Sequence, residues 1–128
     1  MDTEMTILIV DDDATVRGSI GSVLGDEGFA VVTAAGGEEA LARLAESPAS
    51  LVLLDVWMPE MDGIEVARHL MQYDFEVPPR IVFMTGIGES FDVNAIEDSD
   101  AIDVLLKPIA PSSVISLVRA MVDQPTTA

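Results

Sequence analysis

The sequence has no cysteine, few aromatic residues and no long hydrophobic run. The absence of cysteine excludes disulfides, thiolate metal sites and a cysteine nucleophile. The longest aliphatic runs, Ile7–Val10 and Leu51–Leu54, are far shorter than the roughly 20 apolar residues that cross a bilayer. The opening residues, MDTEM, lack the basic and apolar segments of a secretory signal. We therefore expect a cytoplasmic protein with no membrane partner.

Basic residues are also scarce: six stand against 23 acidic residues, which gives a formal net charge of −17 at pH 7. So acidic a surface repels phosphate backbones, and we expect cations or basic partners instead of direct nucleic-acid binding. Hydrophobic residues make up 49% of the 128, which is enough for one folded domain with a core. We expect this single domain to span 1–128, with a core from about 6 to 122 and a tail, or the start of a linker, at 123–128.

Short aliphatic runs alternate with segments of helical periodicity along the chain. The runs are mostly unbroken by polar residues, as expected of parallel strands covered on both faces, and they are Ile7–Val10, Ala30–Thr33, Leu51–Leu54, Ile81–Met84 and Ile102–Leu106. The segments after them predict five helices, of which the fourth, around Phe91, Ala95 and Ile96, has the weakest pattern. Asp62 and Glu65 have capping-box spacing before the third helix, and Pro111 suits the start of the last. The pattern predicts an α/β fold with a (βα)5 doubly wound parallel sheet.

Polar residues stand where four of the predicted strands end. Asp11, Asp12 and Asp13 follow the first strand and Asp55 the third, while the fourth ends in Thr85 and the fifth in Lys107, the only lysine. Ligands of open α/β sheets bind outside the carboxyl ends of the strands, near the point where strand order reverses. If the first and third strands are neighbours, the aspartates meet at that edge.

Converging carboxylates need a counter-charge. Two of them about 4 Å apart repel by roughly 4 kcal/mol at an effective dielectric of 20. A hard cation with oxygen ligands relieves this repulsion, and Mg²⁺ is the usual one. A lysine and a hydroxyl beside the metal add donors for an anion, and this combination stabilises a phosphoryl group in transfer.

Several motifs, in order, resemble those of one family. They are ILIVDDD, GFAVVTAAGGEEAL, LVLLDVWMPEMDG, IVFMTG and LLKPI. In order and at this spacing they resemble the receiver domain of two-component response regulators, over about residues 6 to 122. The resemblance implies a flavodoxin-like five-stranded sheet of order 2-1-3-4-5.

The resemblance also implies a role for each polar residue. Asp55 would be the phospho-acceptor, and Thr85 and Lys107 would hold the phosphoryl oxygens. Mg²⁺ would be bound by Asp12 and Asp55 directly, by Asp11 through water and by the backbone carbonyl of Trp57. The Lys107–Pro108 bond would be cis, and Asp13 would be solvated or would cap the first helix.

Receivers of this kind are signalling switches and not metabolic enzymes, although they assist their own phosphoryl transfer and slow autodephosphorylation. The implied partners are a sensor histidine kinase or histidine phosphotransfer protein, and a downstream protein or fused output domain. Output would use the fourth helix, the fifth strand and the last helix, in the region of Leu105, Ile109 and Val114. One departure is Val104, at the switch position where the family usually has Tyr or Phe. Trp57 and Ile87 are apolar where they would border the water that attacks the phosphoaspartate.

Two other functions remain open at the level of sequence. ILIVDDDAT also fits the hhhhDxDxT motif of haloacid-dehalogenase-like phosphohydrolases, with Asp11 as nucleophile and Asp13 as acid/base. Against that reading, the only acidic residue after Lys107 is Asp123, so the second half of the metal site is missing. The third alternative is a receiver-like binding module that acts without phosphorylation, which Val104 favours and the full set of polar residues opposes.

Overall fold

The structure is a computed structural model that describes residues 6–86 and 103–123. It contains one sheet of five parallel strands in the order β2-β1-β3-β4-β5. The strands are β1 Thr6–Val10, β2 Ala30–Ala34, β3 Leu51–Asp55, β4 Arg80–Gly86 and β5 Asp103–Lys107. The predicted doubly wound sheet and its 2-1-3-4-5 order are confirmed.

Four helices lie in the described ranges: α1 Ala14–Asp26, α2 Gly37–Glu46, α3 Gly63–Met71 and α4 Pro111–Asp123. Asp13 caps α1, since its side chain accepts a hydrogen bond from the Thr15 N–H at 2.8 Å. The predicted capping box of α3 is present in both directions. The helix expected around Phe91, Ala95 and Ile96 lies outside the described residues, as does Ile87.

The core has two layers, one on each face of the sheet. One cluster joins α2 and α3 to the sheet through residues such as Leu44, Leu70 and Phe83. The other joins α1 and α4 to the opposite face through residues such as Leu24 and Val118. Side chains of a strand point alternately to the two faces, so the unbroken aliphatic strands supply both layers. Within the described ranges, no helix has the length and apolar character needed to span a membrane.

The register aligns the carboxyl ends of the strands at one edge. Val10, the last residue of β1, lies beside Leu54, so Asp11 and Asp55 follow at neighbouring positions. On the other side of β3, Asp55 lies beside Met84, and Gly86 of β4 lies beside Lys107 of β5. The polar residues predicted from strand ends therefore share one edge of the sheet.

Gly63 allows α3 to begin directly against the end of β3. Its N–H donates to the Val56 carbonyl at 2.8 Å. A Cβ atom placed on Gly63 would lie 2.2 Å from the backbone oxygen of Asp55, which is far inside van der Waals contact. The glycine of the DG pair is therefore required by this close approach, and any larger residue would displace the end of β3.

Candidate functional site

Three carboxylates converge at the carboxyl edge of the sheet. One oxygen each from Asp11, Asp12 and Asp55 lies within 4.8 Å of the other two. Asp11 is 0% exposed and Asp55 is 3% exposed, whereas Asp12 is open to solvent. Two buried charges and one accessible charge thus form a single acidic cluster, as the strand ends predicted.

Lys107 reaches this cluster from β5, the strand at one side of the sheet. Its Nζ lies 2.8 Å from Oδ2 of Asp11 and 3.2 Å from Oδ1 of Asp55. Burial by itself lowers the pKa of Lys107, but the hydrogen bonds and charges of Asp11 and Asp55 outweigh it and raise the pKa above its usual value. The lysine therefore stays charged and joins the two strand ends electrostatically.

Burial raises the pKa of Asp55 to about 7, and the negative charge of Asp11 adds to the rise. The charge and hydrogen bond of Lys107 act in the opposite direction without cancelling these effects. Without a further cation, burial and the charge of Asp11 disfavour the ionised form of Asp55. A cation at this edge would raise the fraction of Asp55 that is ionised at neutral pH.

The loop between β1 and α1 is held by a short network. Oδ1 of Asp11 accepts the N–H of Asp13 at 2.9 Å, so one carboxylate oxygen is used within the loop. Nη1 of Arg17 donates to the backbone carbonyl of Asp11 at 2.7 Å. We did not predict Arg17 from the sequence. The available signal was a cation in the first turns of a helix, where the helix dipole disfavours positive charge.

The other oxygen of Asp11 tests whether the site fits a metal ion. Oδ2 is fully buried, and among the described residues its partner is the Lys107 ammonium at 2.8 Å, with no further donor. The ammonium leaves one lone pair of this buried oxygen without a partner, and a metal ion would bind it. Together with the oxygens of Asp12 and Asp55, it forms a donor set suited to a hard divalent ion.

The remaining predicted residues lie on β4, on β5 and in the loop after β3. Thr85 is fully buried on β4, and Trp57 is 45% exposed in the loop after β3. Val104 lies beside Phe83 and packs against the cluster under α2 and α3. The Lys107–Pro108 peptide bond is cis, as expected. Short distances join Asp11, Asp12, Asp55 and Lys107, and Thr85 and Trp57 lie near this edge by their positions on β4 and in the loop after β3.

The three residues that mark the expected output region lie on β5, in the loop after it and on α4. Leu105 and Ile109 are partly buried against the core under α1 and α4, and Val114 is 1% exposed within it. Leu106 is the exposed apolar residue of β5, at 59%. Successive side chains of a strand point to opposite faces of the sheet, and their burial depends on which helices cover each face. The aliphatic run in the sequence does not show which residues of β5 are covered.

The comparisons with known proteins agree with the geometry. The family model described as "Response regulator receiver domain" matches residues 7–119. The DNA-binding response regulator MtrA of Mycobacterium tuberculosis is 39% identical over 94% of this chain and 52% of its own length. The probable transcriptional regulator ycf27 of Guillardia theta is 34% identical over 94% of this chain and 46% of its own length. The chain thus spans about half the length of these curated relatives.

Two solved structures share the fold over nearly their whole length. A putative response regulator from Chloroflexus aurantiacus has a TM-score of 0.85 at 30% identity, with 95% of this chain and 100% of that chain covered. The chemotaxis protein CheY4 of Vibrio cholerae has a TM-score of 0.80 at 29% identity, with 92% and 98% covered.

These relatives bear on the expected partners and on the alternatives. The expectation of no nucleic-acid binding came from the charge of this chain, and a relative named a DNA-binding regulator gives it no support. The matches likewise give no support to a phosphohydrolase or to a module that acts without phosphorylation. Receivers of two-component systems are signalling switches that bind Mg²⁺ in an acidic pocket, and such a pocket is present here. The chain belongs to the response regulator receiver domain family.

Proposed function

We propose that this chain is a phospho-accepting receiver in which Asp55 takes a phosphoryl group from a histidine kinase or a histidine phosphotransfer protein. The observation that supports this most directly is the position of Lys107, whose ammonium lies 3.2 Å from Asp55 and 2.8 Å from Asp11. A cation at that place neutralises charge on both the acceptor and the incoming phosphoryl oxygens.

The proposed step is a displacement at phosphorus. An oxygen of ionised Asp55 forms a bond to phosphorus while the bond to the donor histidine nitrogen breaks, and the imidazole keeps the electron pair. Lys107 balances the charge of the transferring group, and the hydroxyl of Thr85 is expected to donate to one of its oxygens. Asp12, Asp55 and the Trp57 carbonyl, with Asp11 acting through water, would hold Mg²⁺, which would supply the remaining neutralisation.

The same residues would act as the switch. Phosphorylation shifts an equilibrium between two conformations only as far as the phosphoryl group prefers one of them. Thr85 lies one residue before the end of β4, and Lys107 ends β5, which pairs with β4 along its whole length. A change at the phosphoryl group would therefore reach the β5 edge. With Val104 in place of an aromatic residue, we expect output to use backbone and aliphatic packing of this edge. The target would be a downstream protein or a fused output domain, with no nucleic-acid contact by this acidic chain itself.

Mass spectrometry after exposure to acetyl phosphate and Mg²⁺ tests the proposal. We expect one added phosphoryl group, located on Asp55 by peptide mapping, and none for Asp55→Asn. Asp26→Asn, which removes one acidic side chain at the far end of α1, is the matched control and should label normally. Label on Asp11 would instead support the phosphohydrolase reading, and no label would support a module that acts without phosphorylation.

A further inference from the structure

We propose that Arg17 is a positioning residue for divalent-cation binding, because it fixes the backbone from which the carboxylates of Asp11 and Asp12 project. The inference rests on the proposed function, since it concerns the same metal site. Arg17 would not itself touch the cation. Its effect would pass through the carbonyl of Asp11.

The contacts of the loop show how Arg17 acts. Its Nη1 donates to the Asp11 carbonyl at 2.7 Å, and its own N–H donates to the Asp13 carbonyl at 3.1 Å. The N–H of Asp11 donates to the Ala34 carbonyl at the end of β2, at 3.2 Å. Both backbone groups of Asp11 are therefore held, one by β2 and the other by the guanidinium. The Asp11 carbonyl is part of the peptide group that joins Asp11 to Asp12, so the plane of this peptide group is fixed.

The position of Arg17 suggests that it serves the site more than the helix. A cation near the amino end of α1 opposes the helix dipole, and Arg17 as a residue is also partly buried. A structural role alone would favour a neutral or acidic residue here. The short hydrogen bond from a charged donor to Asp11 is the interaction that offsets these costs.

Arg17 and Lys107 therefore have opposite relations to the metal. Lys107 lies against carboxylate oxygens of Asp11 and Asp55, which are atoms that a cation would need. Arg17 binds a backbone oxygen and leaves those carboxylate oxygens to the cation. Loss of Lys107 would make carboxylate oxygens of Asp11 and Asp55 available to the cation. Loss of Arg17 would instead let the backbone that positions the Asp11 and Asp12 carboxylates move.

Whether loss of Arg17 strengthens or weakens Mg²⁺ binding therefore decides between an electrostatic and a positioning role. Removing a positive charge near a cation site tightens cation binding by simple electrostatics. Releasing the Asp11–Asp12 peptide has the reverse effect, because binding must then order a backbone that the native contact had already ordered. Ordering one residue corresponds to about a tenfold loss of affinity. We therefore expect Arg17→Met to bind Mg²⁺ about tenfold more weakly than the wild type.

Isothermal titration of the full chain with Mg²⁺ tests this inference. Arg43→Met is the matched control, since it removes the same charge from a solvent-exposed ion pair with Glu39 on α2. We expect wild-type or slightly tighter binding for Arg43→Met, weaker binding for Arg17→Met, and partial recovery for Arg17→Lys. If Arg17→Met folds poorly, the rise of its urea midpoint with Mg²⁺ is measured instead and should be smaller than that of the wild type.

Equal or tighter Mg²⁺ binding by Arg17→Met, or an equal rise of its urea midpoint, would overturn the inference while leaving the proposed function intact. If the wild type itself does not bind Mg²⁺, both are wrong. Phosphorylation of Arg17→Met at saturating Mg²⁺ should still occur on Asp55, which separates positioning of the metal ligands from the transfer step.

Discussion

Crowded charge at Asp55 should make the metal-free protein less stable at neutral pH than its Asp55→Asn variant. The pKa of this carboxyl rises from its ordinary 3.8 to about 7, chiefly through burial and the charge of Asp11. Because the folded state holds the proton more tightly than the unfolded chain does, folding is favoured at low pH. This contribution is fully present below pH 3.8, falls as the pH rises toward about 7, and is absent above that.

The magnitude follows from the same pKa. Each tenfold change in the proton affinity of a group corresponds to 1.36 kcal/mol. The difference between a pKa of 3.8 and one of about 7 therefore means that ionising Asp55 in the folded protein costs at most about 4 kcal/mol. Removing the carboxylate would leave Lys107 with Asp11 alone, which reduces the gain. We therefore expect Asp55→Asn to be about 2 to 3 kcal/mol more stable than the wild type at pH 8.

Urea unfolding in the presence of a chelator, from pH 4 to pH 8, measures this difference. The two proteins should converge at the acidic end and separate as the pH rises. Saturating Mg²⁺ should narrow the gap at pH 8, since the ion relieves the repulsion only where Asp55 is ionised. Asp26→Asn, which removes an exposed carboxylate at the far end of α1, serves as the control, and at pH 8 it should differ less from the wild type than Asp55→Asn does. A gap that is absent at pH 8, or equal in size at both ends of the range, would refute the reasoning.

Two other substitutions test the edge of the sheet. Gly63→Ala should lower the free energy of unfolding by about 3 kcal/mol, because its Cβ would meet the Asp55 oxygen at 2.2 Å. Gly18→Ala, in open space on α1, should instead raise it by about 0.5 to 1 kcal/mol, and equal effects in urea unfolding would contradict this account. Trp57→Asn should speed loss of the phosphoryl group several-fold, because a polar amide would admit the attacking water. Met71→Asn, an exposed position on α3, should leave that rate unchanged in the same phosphate-release assay.

The sequence was most informative where one local rule decides the structure. The strands follow from aliphatic runs that must be buried on both faces, and the start of α3 follows from Asp62 and Glu65. The meeting of Asp11, Asp12 and Asp55 at one edge could be predicted once the first and third strands were assumed to be neighbours. The order itself came from the resemblance, because spacing along the chain does not say which strands are neighbours.

Other features depend on geometry that residue types do not encode. The backbone oxygen that Arg17 binds could not be identified from residue types, because every residue carries a carbonyl; the sequence showed only a basic residue near the start of a helix. The burial of Asp11 and the exposure of Asp12 depend on how the chain turns after β1. The inward orientation of Leu105 and Val114 depends on which layers cover the sheet at β5.

Asp55 ends a strand whose five residues are all buried and which has a partner on each side. Amide groups in such a strand are expected to exchange with solvent only when most of the molecule opens, which would place the proposed acceptor in the slowest-opening part of the domain. The acceptor oxygen would then keep its position while partners bind and leave. A rearrangement that depends on phosphorylation would instead occur at the β5 edge of the sheet, where Leu106 is exposed to solvent. Phosphoryl transfer and signalling would thus use different strands.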